Sequence, residues 1–403
     1  MPPVSRVLCS VVAAVAIAVP VSVVPGPASA ARAADPVVPV PPTGSVTVTG
    51  YGYGHGHGMS QHGARQAAAN GVSHTAILEH YYPGTRMSAL RGRIRILLTR
   101  DTDNNTIVLP RRGLRVKDVA TGRSWWLPTR LGAKLWRLSV VNGRTKVSYR
   151  TDRWRTFRPG GRARLVGDGQ FYSRRGPVTL RTAAGDRAYR GALRLANRDT
   201  VNVLGLQRYL KGVVASEMPA SWPADALNAQ TVAARTYAAY ERAAHAGRYY
   251  HLCDTTSCQV YNGVAVEDRR TNAAVDATAG QILTYGGAPA FTQFSASNGG
   301  WMSAGSRPYL VWAEDPYDVS STVNRHHGWT KEISFATLQR KYGSRVGTVT
   351  GIRVLTRERN AAFGSGGWAI DVEVRGDNGT IVVKASEIRS LAGLRSTYFT
   401  FSP

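Results

Sequence analysis

Between Leu206 and Val214 the apolar side chains Leu206, Tyr209, Leu210, Val213 and Val214 recur at i, i+3, i+4, i+7 and i+8, one face of a helix. Met218-Pro219 closes it, because a residue before proline is pushed out of the α region. A second helix is predicted to open with Pro223 just inside its first turn and to stop at Gly247. Elsewhere the period changes. From Ile94 to about Val203, short runs such as Arg93–Leu98 and Val178–Arg181 are bounded by Asp-Asn, Asn-Gly, Arg-Gly and Gly-Asp pairs, which predicts antiparallel strands and turns. Strand patterns return from Ile282 onward and end in Gly351–Val374 and Gly379–Glu387. Residues 45–85 begin Gly/His-rich and become helix-compatible from Ala64 to Tyr82, where Pro83-Gly84 ends the run. No internal repeat is visible. The pattern predicts an α+β fold, a central helical core packed with antiparallel β-rich regions.

The first residues bear on compartment. Arg6 precedes an apolar run from Val7 to Val24, and Ala28-Ser29-Ala30 supplies a small-x-small cleavage pattern, so residues 1–30 are expected to be a removed secretory signal. Pro20, Pro25 and Pro27 and the short run argue against a retained anchor. No other stretch is apolar enough to span a membrane, so no stable insertion is expected after cleavage. A Pro/Val-rich linker, 31–44, leads to one large region, 45–403. Its expected parts are a Gly/His motif plus helix (45–90), a β-rich part (91–200), the helical core (201–315) and a C-terminal β-rich part (316–403). Two cysteines, Cys253 and Cys258, outlast the signal, so the fold does not rest on a disulfide scaffold.

Charge narrows the partners. The chain has 51 Lys+Arg against 25 Asp+Glu, a net +26, and +25 without the signal, whose only charged side chain is Arg6. A polyanion is the expected partner. For an exported protein that means wall glycan strands with acidic stem peptides and wall-linked acidic polymers, since nucleic acid lies in another compartment. Solubility, or a genome favouring Arg over Lys, would give the same charge without a partner.

Glu217 is a lone carboxylate between an apolar helical face and a proline turn. Val213, Val214, Ala215, Met218 and Trp222 offer apolar surroundings, in which a carboxyl keeps its proton towards neutrality. The helix C-terminus adds only about 0.3–1 kcal/mol in the same direction, so burial must supply most of the shift. The competing reading is a solvated Glu near a helix end. Arg235 shares a stripe of the second helix with Asn228, Thr231 and Arg242. It either points into a cleft towards Glu217 or a sugar, or faces solvent.

Tyr209–Pro219, Trp222-Pro223 and Ala226–Ala238 closely resemble the core of the stage II sporulation protein D (SpoIID) / LytB amidase-enhancer family. Cys253–Tyr261, Ser297-Asn298-Gly299-Gly300, Pro308-Tyr309-Leu310 and Leu394-Arg395-Ser396-Thr397 agree with it, so the resemblance runs from about residue 45 to 401. It implies lytic transglycosylase activity on peptide-stripped glycan strands, with Glu217 as catalytic acid/base and Arg235 as a second active-site residue. Hydrolytic glycosidases normally need two carboxylates, whereas an internal nucleophile removes the second.

Gly52–Ala64 also resembles the family, but there it commonly lies near the C-terminal end, and a permuted position is tolerable where termini lie close together. His55, His57 and Gln61 are candidates to line the cleft; a structural histidine network and a metal site through His-Gly-His are the alternatives. Gln230, Ser297 and Asn298, from the matched motifs, join them as substrate-binding candidates. Some relatives hold zinc with two cysteines and a histidine, and His251 stands near Cys253 and Cys258. Ser257 occupies the place where relatives often have histidine, which favours a disulfide over zinc, with free thiols as a third state. No cofactor is required by this chemistry.

Three classes of function follow: a secreted wall enzyme, a non-catalytic wall-binding module that stimulates an N-acetylmuramoyl-L-alanine amidase, and a structural sporulation scaffold. The aromatic residues Trp125, Trp126, Trp136 and Trp154 in the strand region serve wall binding with or without catalysis.

Overall fold

The two-residue period of the strand-rich stretch builds two sheets around one core. In the computed structural model, which describes residues 34–403, seven strands run in the order Leu252–Cys253, Arg93–Leu97, Asp199–Gly205, Ala192–Ala196, Gly169–Ser173, Leu114–Asp118 and Ser124–Trp126. Their apolar positions, Ile94, Ile96, Val116, Phe171, Leu193 and Leu204 among them, face Trp136, Leu138, Val147 and Leu180 of a six-stranded sheet. The expected signal, residues 1–30, lies outside the described residues. Among those described, no helix is long and apolar enough to cross a membrane.

The helices are α1 (Gln61–Ala69), α2 (His74–Tyr81), α3 (Leu206–Glu217), α4 (Ala224–Ala244), α5 (Arg269–Ala277), α6 (Phe335–Val346) and α7 (Ala385–Ala392). The apolar face expected on α3 is buried, and Met218 takes the extended conformation that Pro219 imposes (φ −131°, ψ 142°). The single helix-compatible run 64–82 is two helices. Asn70 caps α1, and the Ser73 hydroxyl accepts from the Ala76 N–H (3.4 Å) to start α2. α4 joins two cores because its faces are small: Ala234 and Ala238 pack into the sheet core, while Ala229 and Ala233 pack with α1 and α2.

The C-terminal part combines its strands with two helices that the strand patterns did not announce. A three-stranded sheet (Gly328–Ser334, Ser45–Tyr51, Phe399–Ser402) and a four-stranded sheet share a core with α6 and α7. α6 forms because Ser334 caps it and Leu338, Tyr342 and Val346 recur every four residues on one buried face. The expected linker also needs correction. Val38-Pro39 adds an edge strand to Val349–Arg357, Val38 and Val40 are buried, and Asp35 pairs with Arg357. Alternating valines supply the strand, and an edge tolerates the prolines between them.

Gly50 sits mid-strand opposite both Trp329 and Phe399, and a Cβ there would collide with the Trp329 indole, whose Nε1 donates to the Gly52 carbonyl (2.9 Å). Gly50→Ala is therefore expected to cost roughly 1–3 kcal/mol, seen as a lower calorimetric Tm; an unchanged Tm would mean this packing is slack.

Candidate active site

Helix α3 ends on Glu217, and a glycine sets how closely its last turns approach the neighbouring loop. A Cβ at Gly212 would lie 2.6 Å from the Tyr261 ring and 2.9 Å from the Gly263 carbonyl oxygen. Glycine costs about 1 kcal/mol in a helix interior, and here it lets the 259–263 loop approach. The Val260 N–H consequently donates to the Glu217 carboxylate at 3.0 Å. The loop is pinned on its other side: the Tyr209 hydroxyl donates to Gln259 (3.1 Å), whose amide donates to the Ala234 carbonyl (3.1 Å). A Cys253–Cys258 disulfide closes the segment before it.

Glu217 opens into a pocket of about 590 Å³, whose lining includes His55, Gln61, Tyr237, Phe294, Ser295 and Arg389. Burial pushes the Glu217 carboxyl above the ordinary glutamate range, against hydrogen bonds from Val260 and Gln61 that favour the anion. The His55 pKa is lowered to about 3, by burial first and then by His57 and Arg389. Its Nδ1 accepts from the His57 N–H (2.9 Å).

The Gly/His segment forms the N-terminal wall. Gly52, Gly54, Gly56 and Gly58 all have positive φ, between 65° and 123°, a conformation open to glycine and strained for other residues. The chain thus threads beside residues 293–298: Tyr53 bridges Ser297, and Met59-Ser60 pairs in parallel with Phe294-Ser295.

Beneath this wall lies Asp318, fully buried. It accepts from the Ser60 and Ser297 hydroxyls (2.7 and 2.8 Å), the Asn298 N–H (2.6 Å) and the Asn324 amide (2.6 Å). Burial would raise its pKa, but hydrogen bonds from His327, Ser60, Ser297 and Asn298 outweigh it and hold the carboxyl below the usual range. Asp315 beside it accepts from the Tyr81 hydroxyl (2.8 Å) and the Asn298 amide (2.7 Å).

The candidates thus divide. Glu217, His55 and Gln61 share the pocket. His57 turns away, its Nδ1 against the Ser303 carbonyl (3.1 Å). Ser297 and Asn298 are spent on Asp318 and Asp315 behind the wall. Gln230 is buried one step back, accepting from Gln61 Nε2 (3.3 Å). Arg235 does not meet Glu217. It is fully buried on another side of α4, donating to the carbonyls of Gln281 (3.0 Å) and Val275 (3.3 Å) and to the Gln207 side chain (3.3 Å). The helical stripe fixed which residues it travels with but not which of α4's small faces met the cleft. The pocket's arginine is instead Arg389, on α7, which no spacing in the sequence connected to Glu217. The Val260 N–H was also missed, although it lies inside the matched 253–261 run.

Zinc does not fit the donors present. Both cysteine sulfurs are consumed in the disulfide, and His251 Nδ1 accepts from the Arg95 N–H (3.1 Å), its pKa lowered by burial to about 4. No step is routed through a metal.

Fold and site together define an α+β protein with a buried acid at a helix end, and comparison with known proteins shows what it resembles. Residues 195–285 match the family described as Stage II sporulation protein, SpoIID. The Amidase enhancer of Bacillus subtilis (strain 168) is 40% identical over 135 residues, 33% of this chain and 18% of that protein. Stage II sporulation protein D of the same organism is 34% identical over 187 residues (39% of this chain, 53% of that one), and that of Bacillus amyloliquefaciens 29% over 229 (51% and 62%). Over these stretches the chain is similar to proteins of the SpoIID and amidase-enhancer family. It spans between 18% and 62% of the length of these relatives.

Asp318→Ala leaves at least four donors without their acceptor and is expected to cost on the order of 3 kcal/mol or more. Because the folded-state pKa of Asp318 is depressed, its contribution is present above the unfolded value and lost as pH falls through the folded one. Acid melts should therefore separate wild type from variant most at neutral pH and least at the acid end; parallel curves would show that Asp318 is not the acid-sensitive tie.

Proposed function

We propose that this chain is an exported wall protein that cuts peptide-stripped peptidoglycan glycan strands by lytic transglycosylation, in wall remodelling or sporulation, with Glu217 as acid and base. The carrying observation is that Glu217 is the one carboxylate among the described residues lining its pocket. Hydrolytic glycosidases flank the scissile bond with two carboxylates, and a single one suits a substrate that carries its own nucleophile. The Glu217 proton passes to the bridging oxygen as the C1–O bond breaks, and the leaving sugar departs as an alcohol. The carboxylate then takes the proton of the muramoyl 6-hydroxyl as that oxygen bonds to C1. The acid is regenerated and no water is consumed. A carboxyl with a raised pKa is suited to the first half of this cycle. Arg389 and Gln61 are the groups placed to meet the sugar's polar substituents, and Arg235 holds the fold of α4 and α5.

A second reading has the domain dock on the wall and stimulate an amidase without cutting. It is favoured by the 40% identity to a protein named Amidase enhancer.

Wild type and Glu217→Gln are to be incubated with peptide-free glycan strands and the products weighed for 1,6-anhydro ends. The variant is expected to lose roughly 10²–10⁴-fold in rate, the usual worth of a general acid, while binding persists. Anhydro product from the variant at the wild-type rate would sink the mechanism. A wild type that yields none yet accelerates an amidase would establish the second reading.

The same variant carries a stability prediction. With its folded-state pKa raised, Glu217 costs nothing below the unfolded value and its full desolvation penalty above the folded one. Glu217→Gln should therefore raise Tm at pH 7 and not at pH 4. An equal or lower Tm at pH 7 would mean that the carboxylate is well solvated there.

A further inference from the structure

The seven-stranded sheet has a second face, and the alternation that buries one side makes the other basic. Lys117, Gln170 and Arg194 project from three adjacent strands, and the register places Gln170 opposite both Lys117 and Arg194. At a strand spacing of ~4.8 Å the two cations stand roughly 10 Å apart. Arg93, Arg174, Arg190 and Arg208 complete the rim of a concavity of about 880 Å³, whose lining contains no carboxylate among the described residues.

Arg190 is neutralised by Glu267 through two hydrogen bonds, at 2.6 and 2.7 Å. Arg93, Lys117, Arg174, Arg194 and Arg208 form no ion pair among the described residues. Like charges gathered without counter-charge repel, and a concave wall concentrates their field. Arg194 is half-buried, and burial, with Arg95 and Arg93 adding to it, holds it below the ordinary arginine range although Asp168 pulls the other way. Among the described residues its forked side chain hydrogen-bonds to Gln170, at 3.3 and 3.4 Å.

The chemistry of the lining selects among anions. Arginine forks suit phosphate and carboxylate oxygens, and Ser124, Ser173 and Tyr172 add hydroxyls. Tyr172 is the one aromatic residue of the lining. Exposed Trp126, on the same face, is covered by the Arg115 guanidinium at 4.4 Å and does not line the groove. Single-stranded nucleic acid holds its place by stacking successive bases on aromatic rings, and such a platform is missing here. A flexible chain whose charges need forks and whose backbone offers nothing to stack fits better. We propose that this groove binds a polyol-phosphate polymer, a chain of phosphodiester-linked polyols, at a site separate from the Glu217 pocket.

The test titrates the whole protein with a synthetic glycerol-phosphate oligomer at several salt concentrations. Arg93→Ser/Lys117→Ser/Arg208→Ser is compared with Arg130→Ser/Arg144→Ser/Arg150→Ser, which removes the same charge from exposed positions outside the groove; thermal melts confirm that both fold. The groove variant is expected to lose at least ten-fold in affinity at low salt, the control less than three-fold. The slope of log K against log salt should fall by about 2, at roughly 0.7 for each phosphate no longer neutralised. Single-stranded DNA with the same number of phosphates should bind at least ten-fold more weakly than the oligomer, and glycan cutting should be unchanged in both variants. Equal losses in the two variants would make the binding diffuse surface charge, DNA bound as tightly as the oligomer would make the groove a nucleic-acid site, and a groove variant binding like wild type would place the polymer elsewhere; each overturns the proposal.

Discussion

The Glu217 pocket has two walls from segments more than two hundred residues apart in the chain, and a single buried carboxylate ties them. Asp318 takes hydrogen bonds from Ser60 on one side and from Ser297 and Asn298 on the other, while its own loop is held through Asn324. A charge this deep is tolerable only when its lone pairs are filled, and removing its donors would leave a desolvated anion. The neighbouring carboxylate Asp315 ties α2 to the same loop through Tyr81. Both aspartates are therefore committed to structure, which leaves Glu217 as the acid facing the open space.

Asp318 and Glu217 are both buried, and their pKa values move in opposite directions for an identifiable reason. Burial penalises the charged form of each. Asp318 has a shell of short hydrogen bonds that outweighs the penalty. Glu217 has the Val260 N–H at 3.0 Å and the Gln61 side chain, too little to reverse it. Two carboxyls of similar intrinsic acidity are thereby pushed apart, one to hold the fold and one to carry a proton. The distinction comes from the number of donors supplied, and Gly212 determines that Glu217 receives even one from the 259–263 loop.

Periodicity made parts of this legible. The five apolar positions of α3 and the Pro219 stop located Glu217 at a helix end, and Gly/Asn turns located the strands of residues 94–203. α6 was equally readable, since Ser334 precedes Leu338, Tyr342 and Val346 at helical spacing, yet it lies among the strand patterns that run from Ile282 onward and was not separated from them. Arg235 was placed on the right helix and given the wrong neighbours. Small residues on several faces of α4 let elements approach from all sides, so the pattern gives no preferred inward direction. Asp318 and Arg389 were not readable at all. Each acts through long-range contacts, and neither a loop aspartate in Tyr317-Asp318-Val319 nor an arginine in a short helix carries a periodic signal.

The displaced Gly/His segment follows from how the chain ends meet. Ser45–Tyr51 is the middle strand between Gly328–Ser334 and Phe399–Ser402, so the entry to the segment lies against the last strand of the protein. The Tyr51 N–H donates to the Tyr398 carbonyl (2.8 Å), the Gly54 N–H to the Arg395 carbonyl (3.0 Å), and the Ser396 hydroxyl to the Tyr51 carbonyl. A Gly/His motif attached to the C-terminal strand would start from almost the same place as one attached to Tyr51. Sequence position is then a matter of which end supplies the connection, whereas the location of the wall is set by the sheet and by Asp318. The pocket holds the motif beside residues 293–298, and the strand Ser45–Tyr51 delivers it there.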